Sequence, residues 1–250
     1  MKGWSFEARA ARADQLAQTY ASARHLLNFF RRLVSFQIPI LEHLRLDDQT
    51  DVRALLPYFP SLLDLVQRAG PGVLADFGRE HLSSPGAQEE LLLACWEGNT
   101  SCDMGLFYGR VLLQPFSENL ASRGTIALDT SSSKCPFCGA RPVAAILRGE
   151  GEGGKRSLLC SRCSTEWLFR RVVCPNCGCE DKERLPIYTA ADFGHVRVEA
   201  CDQCKTYVKC VDLTKDGRAV PVVDELAAVA LDIWAQDHGY TKLETNLLGL

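Results

Sequence analysis

Cys135-Pro136-Phe137-Cys138-Gly139 recurs 39 residues later as Cys174-Pro175-Asn176-Cys177-Gly178. Cys160-Ser161-Arg162-Cys163-Ser164-Thr165 recurs 41 residues later as Cys201-Asp202-Gln203-Cys204-Lys205-Thr206. These four Cys-x-x-Cys pairs decide the reading of the chain. A Cys-x-x-Cys turn aims two sulfurs at one ion, and glycine after the second cysteine, as at Gly139 and Gly178, supplies the positive φ such a turn needs. Two facing turns make a tetrahedral four-sulfur site. The spacers from Cys138 to Cys160 and from Cys177 to Cys201 each fit one β-hairpin excursion. The duplication favours sequential pairing: Cys135, Cys138, Cys160 and Cys163 at one site, and Cys174, Cys177, Cys201 and Cys204 at the other. A cross-braced arrangement is the alternative. Two metal ions per chain are expected, and four thiolates suit zinc and a single iron equally.

Charge agrees with metal. From 134 to 210 there are 13 Lys/Arg and 9 Asp/Glu, a net of +4. Two divalent ions in four-thiolate cages carry −2 each, so the loaded module is about neutral. That balance argues against nucleic-acid binding. The chain as a whole has net charge −3. Twelve cysteines could suggest disulfides. However, the first residues, Met1-Lys2-Gly3-Trp4-Ser5, lack the apolar run of a signal peptide, and paired cysteines in a reducing compartment read as ligands. The expected location is cytoplasmic. Apolar runs such as Leu91-Leu92-Leu93-Ala94-Cys95-Trp96 are too short for membrane insertion. Cys95 and Cys102 read as buried thiols in helices, Cys179 and Cys210 as spare thiols beside the sites, and His195 as a strand surface residue.

Outward from the cysteines, residues 1–130 read as a helical domain. Leu16, Tyr20, Ala23, Leu27, Phe30 and Val34 fall on one helix face. Ser61 and Gly70 bracket a short helix, Ala87 to Glu97 is closed by Gly98, and Cys102 to about Ala121 forms another. Asp129 to Ser133 reads as a linker. The first four-cysteine ribbon spans 134–173, with a glycine-rich hairpin tip at Gly149, Gly151, Gly153 and Gly154 and strand-like segments at Leu158-Leu159 and Trp167 to Val173. The second spans 174–211. In 212–250, Val222 to Trp234 reads as one amphipathic helix whose stripe is Leu226, Val229, Ala230, Ile233 and Trp234, followed by an unpatterned tail. The fold class expected is α+β: a helical N-terminal domain, two tandem rubredoxin-like or zinc-ribbon modules and a C-terminal helix. No nucleophile–base pair or phosphate loop is evident, and a four-sulfur cage leaves no open coordination position, so an enzyme is not expected.

The runs Cys135 to Val143, Leu159 to Trp167, Cys174 to Cys177 and Glu199 to Lys209, with Asp224-Glu225-Leu226-Ala227 and Gly239-Tyr240, resemble the FdhE family of formate dehydrogenase accessory proteins. The resemblance covers 134–250, and Lys205 stands where glycine is expected. It implies a cytoplasmic, non-enzymatic assembly factor that contacts the catalytic subunit of formate dehydrogenase. It also implies rubredoxin-like iron sites, with zinc as the alternative occupant. Thr165, Glu166 and Tyr207, immediately after the cysteine turns, are candidate partner contacts, with packing between the two ribbons as the alternative reading. The rival readings are a rubredoxin-type electron carrier and a zinc-ribbon nucleic-acid-binding protein.

Overall fold

The fold is taken from a computed structural model, which describes residues 4–46, 50–100, 102–124, 132–150 and 153–250. Six helices come first: α1 (Phe6–Thr19), α2 (Arg24–Leu46), α3 (Phe59–Ala69), α4 (Gly72–His81), α5 (Pro85–Glu97) and α6 (Asp103–Arg123). The expected helix around Ser61 is α3, with Pro60 in its first turn. α5 has Ser84 as N-cap, its side-chain oxygen accepting from Ala87 N–H, and ends on left-handed Gly98 (φ 77°). The single helix face read from Leu16 to Val34 is two helices. The chain turns at Tyr20, whose extended backbone ends α1, and Ala21–Ala23 form a short 3-10 turn into α2. The apolar spacing survives this break because Leu16, Leu27, Phe30 and Val34 all enter the same core. The expected linker at Asp129–Ser133 lies partly outside the described residues, as does Gly151 of the hairpin tip.

The strands are β1 (Pro142–Glu150), β2 (Gly153–Cys160), β3 (Glu166–Leu168), β4 (Ile187–Thr189), β5 (Val196–Cys201), β6 (Thr206–Asp212) and β7 (Thr241–Lys242). They form a single sheet in the order β3-β2-β1-β6-β5-β4, with β7 added beside β6. The two repeats therefore share one sheet. Each repeat is a three-stranded antiparallel unit, and the register is duplicated: Leu159 pairs with Glu166, and Ala200, 41 residues on, pairs with Tyr207. The junction is the parallel pairing of β1 with β6, with Ala145 opposite Cys210. Both junction strands are buried over most of their length, which matches the continuous apolar run Val143 to Leu147.

Two helices follow, α7 (Pro221–Ala227) and α8 (Val229–Asp237). The expected single helix breaks at Ala228, which leaves helical geometry. The break rotates the second half. Leu231, Asp232 and Ala235 turn inward, while Ile233 and Ala230 face solvent. One sheet face packs on α7 and α8 through Val198, Tyr207, Val211, Ala228 and Leu231. The opposite face carries Leu158, Trp167, Val208 and Cys210 around the first cysteine cluster. A larger apolar core fills the helical half, built on Leu33, Ile40, Phe59, Leu92, Val111 and Phe116. Val223 and Leu226 of α7 pack on α1 and α2, so the helical half and the sheet are in continuous contact. No helix among the described residues is long and apolar enough to cross a membrane.

Candidate metal centres

The cysteine turns share one local design. Cys135 N–H donates to Ala140 O at 2.8 Å and Gly139 N–H to Cys135 O at 2.9 Å; Cys174 N–H and Gly178 N–H repeat the pattern at 2.9 and 3.0 Å. The residue after each second cysteine has positive φ: Gly139 at 72°, Ser164 at 52°, Gly178 at 74° and Lys205 at 55°. Ser164 and Lys205 are the non-glycine residues so placed among the described residues. The departure from glycine at Lys205 thus leaves the turn intact at a conformational cost of about 1 kcal/mol.

These turns gather the eight paired cysteines into two clusters of four. Cys135, Cys138, Cys160 and Cys163 form one, and Cys174, Cys177, Cys201 and Cys204 the other; within each, the sulfurs all lie within 4.8 Å of one another. Grouping is sequential, and the cross-braced alternative is not adopted. Sulfur separations are 3.6 Å (Cys135 to Cys163), 3.4 Å (Cys138 to Cys160), 3.7 Å (Cys174 to Cys204) and 3.7 Å (Cys177 to Cys201). A disulfide would bring them to about 2 Å. A tetrahedral ion with bonds of about 2.3 Å would set the sulfurs about 3.8 Å apart, close to what is seen. All twelve cysteines are unbridged.

The electrostatics call for a cation. In the first cluster, the hydrogen-bonded sulfurs of Cys135 and Cys138 push the Cys160 and Cys163 thiols up, with burial adding to the rise. Cys135 is driven down because it is the sulfur its three neighbours donate to. In the second, burial pushes Cys201 up to about 11. Burial also opposes ionisation of Cys204, but hydrogen bonds from Thr206 and Asn176 outweigh it and lower that thiol to about 6. Left alone, each set shares protons; four thiolates together need a positive ion among them. Sulfur donors, spacing and backbone N–H groups directed at Cys160 and Cys174 fit such an ion, and each cluster can hold one.

The two clusters differ in setting. Cys135, Cys160 and Cys163 are buried, and the turn between Cys160 and Cys163 is held by the helical half. Arg162 donates to the Cys95 and Trp96 carbonyls, both at 3.3 Å, at the C-terminal end of α5. Ser164 donates to Glu118 of α6 at 2.7 Å and accepts from Arg9 of α1 at 3.3 Å. The second cluster leaves Cys177 exposed and Cys204 half-buried, and it is tied to the C-terminal segment through Tyr240 O–H to Asp202 at 2.8 Å.

The three candidate contact residues do not stand out as a surface. Tyr207 is 1% exposed and donates to Asp232 at 2.8 Å. Thr165 is buried with its hydroxyl 3.1 Å from Cys163 Sγ. Glu166 is gripped by Arg148 at 2.8 Å and by Ser157, its side chain only 6% exposed. The turn geometry that holds these side chains rigid also aims them inward. Cys95 is buried as expected, but Cys102 is exposed because it is the N-cap residue of α6 rather than part of its apolar face. Cys179 and Cys210 are buried outside both clusters. His195 is not a strand surface residue. It lies in the turn before β5, and its Nε2 is 2.7 Å from buried Asp224.

Sequence reading missed the buried charge networks. Lys209, fully buried on β6, lies 3.0 Å from Glu225 Oε1 and 2.5 Å from Asp232. Lys242 of β7 also pairs with Glu225 and Asp232, so two cations and two carboxylates neutralise one another inside the fold. Arg12 of α1 holds Asp224 at 2.6 Å and Asp216 at 2.8 Å. Lys209 amid the apolar run Tyr207-Val208-Lys209-Cys210-Val211 was the available signal, since an unpaired lysine there would be prohibitive.

Residues 134–171 match the FdhE central domain, and 172–248 match the FdhE C-terminal domain. An FdhE homolog from Aquifex aeolicus is 30% identical over 264 residues, covering 95% of this chain and 93% of the relative. The chain belongs to the FdhE family. An FdhE homolog from Haemophilus influenzae (strain PittEE) is 28% identical over 266 residues, covering 96% of this chain and 87% of its own. The crystal structure of the FdhE protein from Pseudomonas aeruginosa shares the fold, with a TM-score of 0.77 at 24% identity over 98% of this chain and 95% of that one. Similarity to FdhE proteins thus runs through the helical half as well as the cysteine-rich half.

Proposed function

We propose that this chain is a cytoplasmic, metal-binding accessory protein for formate dehydrogenase assembly, which binds the enzyme's catalytic subunit and oxidises no formate itself. The observation that carries the reading is the pair of four-cysteine clusters in a chain of the FdhE family. A tetrahedral ion in either cluster is saturated by protein sulfur, so it has no position for a substrate. Cys135, Cys138, Cys160 and Cys163 would hold one ion and Cys174, Cys177, Cys201 and Cys204 the other. Iron is the favoured native occupant and zinc the alternative. What an ion supplies is cross-linking of turns that come from distant parts of the chain. The residues around it do the rest: Ser164 and Arg162 fasten the first centre to the helices, and Tyr240 fastens the second to the C-terminal segment.

The test is association of the tagged catalytic subunit with this chain in the native host, alongside formate dehydrogenase activity in a deletion strain. No association together with normal activity in the deletion strain removes the assignment. A second reading rests on the exposure of Cys177, which would put an iron of the second cluster near the surface, as an electron carrier requires. An anaerobic visible spectrum that bleaches reversibly on reduction, with electron transfer to a partner, would favour it.

A further inference from the structure

The largest of the grooves described in the structure, about 560 Å³, runs between the start of α1, one face of α2, the end of α6 and the cysteine turn Cys160 to Thr165. Trp4, Ile38 and Leu41 form its apolar wall. Its charge is acidic by one. Glu118 is neutralised by Arg9 and Glu166 by Arg148. Glu7 and Glu42 are exposed and outside any ion pair among the described residues, against one arginine, Arg45, at the same rim. Cys163 and Thr165 form part of the floor, so the first metal centre borders the groove. A four-thiolate cage around a divalent ion carries −2, and this adds to the acidic rim instead of cancelling it. Two other grooves near the clusters carry arginine and lysine in their walls, whose charge the cages offset.

We propose that this groove is a docking site for a segment of a partner protein that carries arginine or lysine beside an apolar side chain. The cation would lie toward Glu7 and Glu42, and the apolar group against Trp4 and Ile38. The proposal deepens the client-binding reading above and rests on it for the partner's identity, with the client being the catalytic subunit. It also gives Thr165 and Glu166 a place beside a contact surface, as its floor rather than its exposed edge.

The experiment has two arms, both on the full-length, metal-loaded protein. In the first, the tagged catalytic subunit is titrated with wild type, Glu7→Lys/Glu42→Lys, Ile38→Glu and the control Glu80→Lys on α4. In the second, fluorescence anisotropy follows binding of a labelled peptide of alternating arginine and leucine and of its counterpart with glutamate for arginine. The expected result is about tenfold weaker binding of both the subunit and the arginine peptide by the groove variants, with the control unchanged and the glutamate peptide unbound. If the groove variants hold the subunit as well as wild type does, the groove is wrong and client binding stands. If wild type takes up the arginine peptide through Glu7 and Glu42 but not the subunit, the groove stands and the client is wrong. Equal binding of both peptides, or arginine-peptide binding indifferent to Glu7 and Glu42, overturns the docking site.

Discussion

Arg9 of α1 holds Glu118 of α6 through both terminal guanidinium nitrogens, at 2.8 and 3.0 Å, and the same carboxylate accepts from Ser164 in the first metal turn. Arg9 is 2% exposed, so removing one partner strands the other in a poorly solvated place. Arg9→Ala or Glu118→Ala should therefore cost about 3 kcal/mol, read from the urea midpoint. The double variant should cost less than the two singles added together. Full additivity would show that the pair does not couple the helices to the turn.

Loss of one ligand should have different reach at the two centres. Metal binding supplies on the order of 10 kcal/mol per structural site in small domains. Cys135→Ser should lower bound metal from two ions to one and weaken amide protection in β1, β6 and the start of α1, because the first cluster is bonded to the helical half. Cys174→Ser should also lose one ion but confine its loss of protection to about 174–206. Hydrogen exchange measured on both variants checks the contrast; identical exchange maps would contradict it.

Thiol reactivity gives a direct count. Cys102 is the exposed cysteine outside the clusters, and Cys95, Cys179 and Cys210 are buried. A thiol reagent applied to the native metal-loaded protein should label one cysteine per chain quickly, and Cys102→Ser should abolish that phase. Denaturation with a chelator should then release all twelve.

Gly139 and Lys205 occupy the same left-handed conformation, each directly after the second cysteine of its turn. A β-carbon at Gly139 would meet nothing within 4 Å. Gly139→Ala should therefore cost only the conformational penalty, about 1 kcal/mol, and retain both ions. Lys205→Gly should be within about 1 kcal/mol of neutral, since relief of the backbone offsets loss of the exposed pair with Asp202. Melting of metal-loaded protein measures both.

Burial opposes ionisation of Glu225, but Lys209 and Lys242 outweigh it and hold the carboxyl at about 2, below its ordinary 4.5. The unfolded chain thus binds the extra proton first. The stabilisation, on the order of 3 kcal/mol, is fully present above pH 4.5 and is lost as pH falls toward 2. The stability gap between wild type and Glu225→Gln should be constant from pH 7 to 5 and narrow below about 4.5. A gap that widens on acidification would reverse the assignment.

The composition of each cluster was legible because ligand spacing is local and the repeat is in the sequence. Strand partnership was not, since nothing in the spacing says that β1 pairs with β6 across some 60 residues; only the apolar runs at Val143 to Leu147 and around Lys209 hinted at strands buried on both faces. Helix breaks at Tyr20 and Ala228 were invisible because neither is a glycine or proline and each falls within an apolar pattern that the core continues on both sides. The sequence leaves the orientation of the candidate contact residues open between a presented surface and packing. Position after a metal turn fixes a side chain's direction, and for Tyr207 that direction is the packed side of the sheet.

The parallel junction has an implication for how such a protein could grow. The last strand of the second repeat sits beside the first strand of the first repeat, a head-to-tail union and not a mirrored one. Such a union leaves unlike edges at its two ends, and each edge is in principle able to receive another unit in the same sense. Here β3 and β4, the two outer strands, are only three residues long. Strands that short offer too few backbone groups to template a neighbour. The array is thus closed at two units by truncation of its ends, without a cap, and lengthening either edge strand would reopen it to end-to-end polymerisation.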